Sequence, residues 1–319
     1  MNLLLTGGTG FFGKALLRHW QAAPVAPHVT VLSRDPEGFL ASHPEFAALP
    51  WLHFHAGDIL NPASLPATAS FTHLLHAAAD STLGPRLTPL QRYTQIVDGT
   101  RHLLDYAVAH DIPRFLLASS GGVYGAQPPE MTHMPEDHHG MPDPQDARNA
   151  YGVAKRCAEH LCALYAQQHG LQTVAARCFA FVGRDLPLHV HFAIGNFIRD
   201  ALDRPQITVN GDGTPVRSYM DQRDLARWLE ALLQGGRAGQ AYNVGSDAAL
   251  TIAELAHQVR DLLAPGKPVH IAAQDAGGPR SRYVPCIAKA RAELGLDLDL
   301  HHTLHDAVLE TARHAEAAR

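Results

Sequence analysis

The chain of 319 residues predicts an α/β fold: a doubly wound parallel sheet with a smaller C-terminal lobe. Three observations point there. Residues 1–13 read MNLLLTGGTGFFG, an apolar run that breaks on Gly7, Gly10 and Gly13 and passes into KALLRHW at helical spacing. Further apolar runs recur, continuous and β-branched instead of alternating in polarity, with helix-like stretches between them; strands buried on both faces have this pattern. After about Gly183 the rhythm changes, and prolines, glycines and polar turns dominate.

In chain order, the runs suited to buried strands are Leu3–Leu5, His28–Leu32, Trp51–Phe54, His73–His76, Arg114–Ala118 and Thr173–Cys178. The clearest helices lie at Gly13–Gln21, Leu90–His110 and Tyr151–His169. Parallel strands joined by right-handed crossovers follow from that alternation. The segment Gln127–Asn149, rich in Pro, His and Asp, reads as a long loop beside the site. Turns at Arg184–Pro187, Asn210–Pro215 and Ala264–Pro268 mark the second lobe, which belongs at the carboxyl end of the sheet, where open α/β folds bind ligands. The expected division is residues 1–183 for a dinucleotide-binding domain and 184–319 mainly for a substrate-binding lobe. Residues 206–246 partly return to the first, because Ala241–Ser246 reads as a strand of the main sheet.

Composition narrows the function. With 46% hydrophobic residues the chain can bury a full core. A net charge of −5 and no basic run argue against a nucleic-acid partner. No apolar stretch approaches the roughly 18 residues of a membrane span, and the N-terminal run is too short for a signal peptide, so a cytoplasmic protein without a membrane partner is expected. Four cysteines, at 157, 162, 178 and 286, form no CxxC pair and read as buried thiols. The 22 histidines lack companion ligands at metal-binding spacing, so no metal is expected and they read as surface or loop residues.

A strand that breaks on glycines and re-emerges as a helix points free N–H groups and a positive helix end at one spot, which suits a pyrophosphate. Strand Arg114–Ala118 runs into Ser119-Ser120-Gly121-Gly122-Val123-Tyr124-Gly125, and Tyr151-Gly-Val-Ala-Lys155 follows downstream. Tyr151 and Lys155 are spaced i, i+4 and share a helix face. A tyrosine titrates near pH 10; bringing it to neutrality takes about 4 kcal/mol of preferential phenolate stabilisation, which a neighbouring ammonium helps to supply.

Together TGGTGFFG, Gly57-Asp58, His76–Ala79, SSGGVYG and YGVAK, with Gly211-Asp212-Gly213, Arg217, Asp221–Leu225 and Tyr242-Asn243-Val244-Gly245 behind them, stand in an order that resembles the extended short-chain dehydrogenase/reductase family. The likeness is to its nucleotide-sugar epimerase, dehydratase and ketoreductase branch and covers nearly the whole chain. It implies a Rossmann-type cofactor domain, a lobe holding a nucleoside diphosphate sugar, and a homodimer formed through the helices Leu90–His110 and Tyr151–His169. By motif position, Gly7, Gly10, Phe11, Phe12 and Gly13 would hold the cofactor pyrophosphate, Asp58 and Ile59 would lie near the adenine, and Ala77, Ala78 and Ala79 would line the cofactor. Ser120 and Tyr151 would be the catalytic pair, with Lys155 also bonding the nicotinamide ribose. Arg217 would clasp the substrate diphosphate, a task suited to a guanidinium.

Departures from the family pattern sharpen the expectation. Dehydratases of the branch carry an Asp-Glu pair where this chain has Gly121 and Gly122, and glycine transfers no proton, so 4,6-dehydration is disfavoured. Redox at one sugar carbon remains, C4 being the usual one: ketone reduction, slightly favoured, or epimerisation through a transient ketone. The second strand ends in Ser33-Arg34-Asp35; a hydroxyl and a guanidinium suit a ribose 2′-phosphate and favour NADP(H), whereas Asp35 on the ribose would select NAD(H). The family's NVxGT is here Ile96-Val97-Asp98-Gly99-Thr100, and the Asn it carries after Arg177 is replaced in Cys178-Phe179-Ala180. His191, Phe192 and Asn196 are the expected replacement substrate contacts. Two competing readings are a non-sugar ketone reductase and a non-catalytic dinucleotide-binding protein on the same fold.

Overall fold

A computed structural model describes residues 1–67, 70–79, 87–274, 277, 280–296 and 301–317. The strands are β1 (Asn2–Thr6), β2 (His28–Ser33), β3 (Leu52–Ala56), β4 (His73–His76), β5 (Arg114–Ser120), β6 (Gln172–Cys178), β7 (Phe181–Val182), β8 (Ile207–Val209), β9 (Val216–Arg217), β10 (Met220–Asp221), β11 (Gln240–Val244), β12 (Leu250–Thr251), β13 (Val269–Ile271) and β14 (Arg282–Tyr283). The helices are α1 (Phe11–Ala22), α2 (Pro36–Ser42), α3 (Pro89–Ala109), α4 (Ala150–His169), α5 (Ala193–Asp203), α6 (Gln222–Gly235), α7 (Ile252–Leu263), α8 (Ala288–Leu294) and α9 (Leu304–Ala317).

Seven strands form the main sheet in the order β11-β6-β5-β4-β1-β2-β3. Every pairing in it is parallel. Successive residues of one strand serve opposite faces. Leu3 and Leu5 join the core under α1 and α6, while Leu4 joins the core under α3 and α4. Burial on both sides is why the central strands β1 and β5 are mostly apolar. The order in which strands are added reverses between β1 and β4, so a crevice opens beyond their carboxyl ends, where doubly wound sheets take ligands.

Local signals set the long helices. Thr88 and Gln91 form a reciprocal capping box ahead of α3, with Pro89 at its first position. Gly170, left-handed at φ 70°, ends α4. The loop from 127 to 146 carries no helix and only an isolated bridge, Met134 to Pro285, before a short 3-10 turn at Ala147–Asn149.

Within residues 206–246, β8 pairs with β13, β9 with β12 and β14, β10 with β7, and β11 with β6, while α6 packs on α1. Asp185 joins lobe to sheet: Lys14 lies 3.1 Å from its carboxylate, Arg18 also pairs with it, and Gln222 donates to it at 2.6 Å. The histidine expectation needs one correction, because His76 on β4 is fully buried and bonds Thr6 Oγ1 through Nδ1 at 2.7 Å. All four cysteines are free thiols; Cys162 and Cys178 are buried, Cys157 and Cys286 half-buried. Among the described residues no group of three His, Cys, Asp or Glu is placed to hold a metal, and no helix is long and apolar enough to cross a membrane.

Candidate active site

The glycine loop forms the floor of the crevice. Gly7 follows β1 with φ +75°, and a Cβ on it would lie 2.6 Å from the backbone carbonyl of Ala77, just past β4. Only glycine combines that backbone with that approach. A Cβ on Gly13 would meet Gly8 Cα at 2.2 Å, so the first turn of α1 lies directly on the loop. Gly10 caps α1 without a side-chain bond, and no acid stands in the first turn. The helix start therefore keeps its N–H groups and positive end for an anion, and a dinucleotide pyrophosphate fits this cradle. The Phe11 ring is in the core, which leaves its backbone N–H as its reach toward a ligand; Phe12 is half-buried, edge-on to Phe181 at 5.3 Å.

The carboxyl ends of β2, β3 and β4 carry the remaining candidates for cofactor contact. Ser33 is buried and its Oγ accepts the Asp35 N–H at 3.2 Å. Asp35 turns its carboxylate onto Gly38 N at 2.9 Å, capping α2, while Arg34 is exposed. Asp58 is half-buried, with one oxygen on Leu60 N at 2.9 Å. Ile59 is buried against α3, where a Cβ on Gly99 would come within 2.6 Å of Ile59 Cδ1. Ala77, Ala78 and Ala79 are half-buried beyond β4, and the Ala77 N–H bonds Thr6 O at 3.1 Å.

Ser120, Tyr151 and Lys155 converge. Ser120 ends β5 and its Oγ accepts the Gly122 N–H at 3.1 Å. The start of α4 presses on that turn: a Cβ on Gly152 would stand 2.6 Å from Gly122 O. Ser120 and Tyr151 consequently bracket position 122, where a Cβ would lie 3.4 Å from Ser120 Oγ and 4.0 Å from Tyr151 Cδ1. Lys155 is buried, donates to Ala118 O at 2.7 Å, and sits 6.0 Å from the centre of the Tyr151 ring. Burial pulls its pKa down to about 8, against the opposing pull of Cys178, Glu159 and Cys162, so the ammonium is charged at neutral pH. Burial, and then the Lys155 charge, hold His76 down to about 3, a neutral imidazole.

Arg177, preceding the position of the missing Asn, works as a brace. Its Nε and Nη2 donate to the Glu159 carboxylate, and its Nη1 donates to the Tyr124 phenol at 2.9 Å and to Glu136 O at 3.1 Å. Tyr124 in turn donates to Asn243 Oδ1 at 2.8 Å, tying the Ser120 turn to β11.

The lobe brings β14 beside β9, with Tyr283 in register with Arg217. Arg217 is half-buried; its Nη1 donates to Val216 O at 2.8 Å and Ser281 O at 3.1 Å, and its Nη2 to Ser281 Oγ at 3.3 Å. Burial lowers its pKa while Tyr219 and Tyr283 act the other way; no carboxylate among the described residues pairs with it. Asn196 lines a separate cleft of about 500 Å³ with Arg199, Asp200, Arg204, Thr208 and Asn210. None of Ser120, Tyr151, Lys155 or Arg217 lines that cleft, nor do His191 and Phe192. His191 is exposed and Phe192 half-buried at the start of α5, their ring centres 4.3 Å apart. Sequence reasoning missed Phe179 and Tyr283, whose rings pack 4.6 Å apart beside Gly121.

Residues 3–245 match the model of the "NAD dependent epimerase/dehydratase family". The chain is 29% identical over 300 residues to UDP-glucuronic acid decarboxylase 6 of Arabidopsis thaliana, covering 92% of this chain and 83% of that one. It is 30% identical over 259 residues to a dTDP-glucose 4,6-dehydratase of Streptomyces griseus, covering 80% and 76%. Among solved structures it matches DesIV, a dTDP-glucose 4,6-dehydratase from Streptomyces venezuelae with NAD bound, at a TM-score of 0.84 and 27% identity, over 100% of this chain and 98% of the other.

Proposed function

The chain belongs to the NAD dependent epimerase/dehydratase family, enzymes of the extended short-chain dehydrogenase/reductase type, and from that premise we propose that it reduces or epimerises a nucleoside diphosphate sugar at one carbon, C4. The observation that carries this is the setting of Ser120 and Tyr151 on either side of Gly122, with a charged Lys155 behind and no acid at 121 or 122. A bound nicotinamide supplies or accepts the hydride. In reduction, Tyr151 gives its phenolic proton to the carbonyl oxygen as the carbon gains the hydride, Ser120 donates a hydrogen bond to that oxygen, and Lys155 stabilises the phenolate that forms. Epimerisation runs these proton movements backward and then forward on the other face of the sugar.

Net reduction by a 4-ketoreductase is the slightly favoured form. It accords with NADP(H), supported by the setting of β2: Asp35 is engaged in capping α2, and exposed Arg34 follows the Ser33 hydroxyl. NAD(H) is the alternative, and a tightly held NAD would accompany the epimerase. Arg217, half-buried without a carboxylate among the described residues, is proposed to clasp the diphosphate. His191, Phe192 and Asn196, at and just before the start of α5, would be further substrate contacts. Residues 1–183 with α6 and β11 would hold the cofactor and the remainder the substrate. A cytoplasmic homodimer through α3 and α4 is proposed, in keeping with Leu90 and Leu164 exposed on these helices.

Incubation with UDP-, dTDP- and GDP-hexoses and their 4-keto forms, following NAD(P)H absorbance and products, tests the reading. Net NADPH consumption supports the reductase, and interconversion without net cofactor change supports the epimerase. Cofactor binding with silence across the panel would leave a binding protein.

A further inference from the structure

Gly121 follows Ser120 at the end of β5, and the space that a side chain there would take is filled by Phe179 and Tyr283. A Cβ on Gly121 would meet Tyr283 Oη at 2.7 Å and Phe179 Cζ at 2.8 Å. The Tyr283 ring lies on Phe179, and its hydroxyl donates to Cys178 O at 3.4 Å, a long bond that leaves it free to turn. Cys178 is the register partner of Ser120 across β5 and β6, so the phenol bonded to Cys178 O stands beside the end of β5 that carries Ser120 and Gly121. The other side of Tyr283 is set by register with Arg217 on β9. One phenol thus stands between the predicted diphosphate clasp and the hydroxyl that would hold the reacting oxygen.

We propose that Tyr283 is a positioning residue for Ser120 and a selectivity residue for the site: its hydroxyl directs the Ser120 hydroxyl at the substrate oxygen, and its ring, with Phe179, closes position 121 to any acid or base. The inference rests on the redox reading above. In this arrangement the Ser120 hydroxyl would rest its hydrogen on the Tyr283 oxygen until substrate arrives. When a substrate oxygen takes that hydrogen, Tyr283 turns its own from Cys178 O to Ser120 Oγ, and two bonds in series polarise the reacting oxygen more than one does. Tyr283 transfers no proton to the substrate: burial pushes its phenol well above the ordinary tyrosine range and the charge of Tyr151 adds to that, with Ser120 and Arg217 opposing. It remains a neutral donor, and the proton that passes to the substrate is assigned to Tyr151, beside the ammonium of Lys155.

Tyr283→Phe keeps the ring on Phe179 and removes only the hydroxyl. Two measurements on the cofactor-loaded enzyme decide the matter. In single and double variants with Ser120→Ala, Tyr283→Phe alone should lower kcat about five- to tenfold with KM within about twofold, and should change kcat by less than about twofold once Ser120 is alanine. The same four proteins followed by thermal unfolding should show coupling between the two substitutions, a readout that needs no substrate. Equal losses of kcat in both backgrounds, a loss confined to KM, or strictly additive thermal shifts would overturn the proposal. If the wild type turns over no nucleotide sugar the redox reading fails, and the thermal cycle alone then upholds or overturns the Tyr283–Ser120 contact.

Discussion

The ammonium of Lys155 is moored to the carbonyl of Ala118 at 2.7 Å, two residues before Ser120 on the same strand. One strand end therefore sets both the hydroxyl proposed to hold the substrate oxygen and the charge proposed to act on Tyr151. Because burial draws Lys155 down to about 8, that charge is lost as pH rises through 8. In the reductive direction kcat/KM should be level near neutrality and fall about tenfold per pH unit above about pH 8. Stability moves oppositely: between about pH 8 and 10.5 the unfolded chain holds the lysine proton more tightly, so relative to Lys155→Met the wild type should gain about 3 kcal/mol over that range. A rate that stays level to pH 10 would detach Lys155 from the chemistry.

His76 predicts acid lability. Its folded pKa lies near 3 against 6.5 in a free chain, so the unfolded protein binds the proton first as pH falls. The stability its neutral form contributes is complete above about pH 6.5 and is lost progressively toward pH 3, up to about 5 kcal/mol. Urea midpoints measured from pH 7 to pH 4 should drop steeply, and less steeply in His76→Gln.

Gly7→Ala forces a side chain into a left-handed residue and against the Ala77 backbone at 2.6 Å. The strain costs about 1–2 kcal/mol and the clash about 1–3 kcal/mol more. Calorimetry should show a lowered melting temperature, and fluorescence titration a loss of dinucleotide affinity of about tenfold or greater.

Arg34→Ala should weaken NADPH binding about tenfold while changing NADH binding less than about twofold, measured by NAD(P)H fluorescence. Equal effects on the two cofactors would move the 2′-phosphate contact elsewhere.

The main sheet was legible because its central strands are buried on both faces and are largely apolar, and the glycine loop because glycines that permit close approaches leave a spacing. Ser120, Tyr151 and Lys155 were legible as neighbours on a strand end and one helix face. Tyr283 was not. It sits on a two-residue strand, too short for any periodicity, and reaches the site only because β14 pairs with β9. Nor did spacing reveal that His76 is buried: strand β4 reads HLLH, polar at both ends, and only Thr6 on the adjacent strand accounts for the inner histidine. Asp35 was ambiguous in sequence because capping α2 and holding a ribose need the same residue type.

Transfer of label from nicotinamide deuterated at its reactive carbon decides whether hydride and the Tyr151 proton meet at the C4 carbonyl of the sugar. With a nucleotide 4-ketohexose, wild-type enzyme should deliver deuterium to C4 of the sugar, read by NMR or mass spectrometry, while Tyr151→Phe binds the cofactor and delivers none. Deuterium that stays on the cofactor, label at another carbon, or an active Tyr151→Phe variant would contradict it.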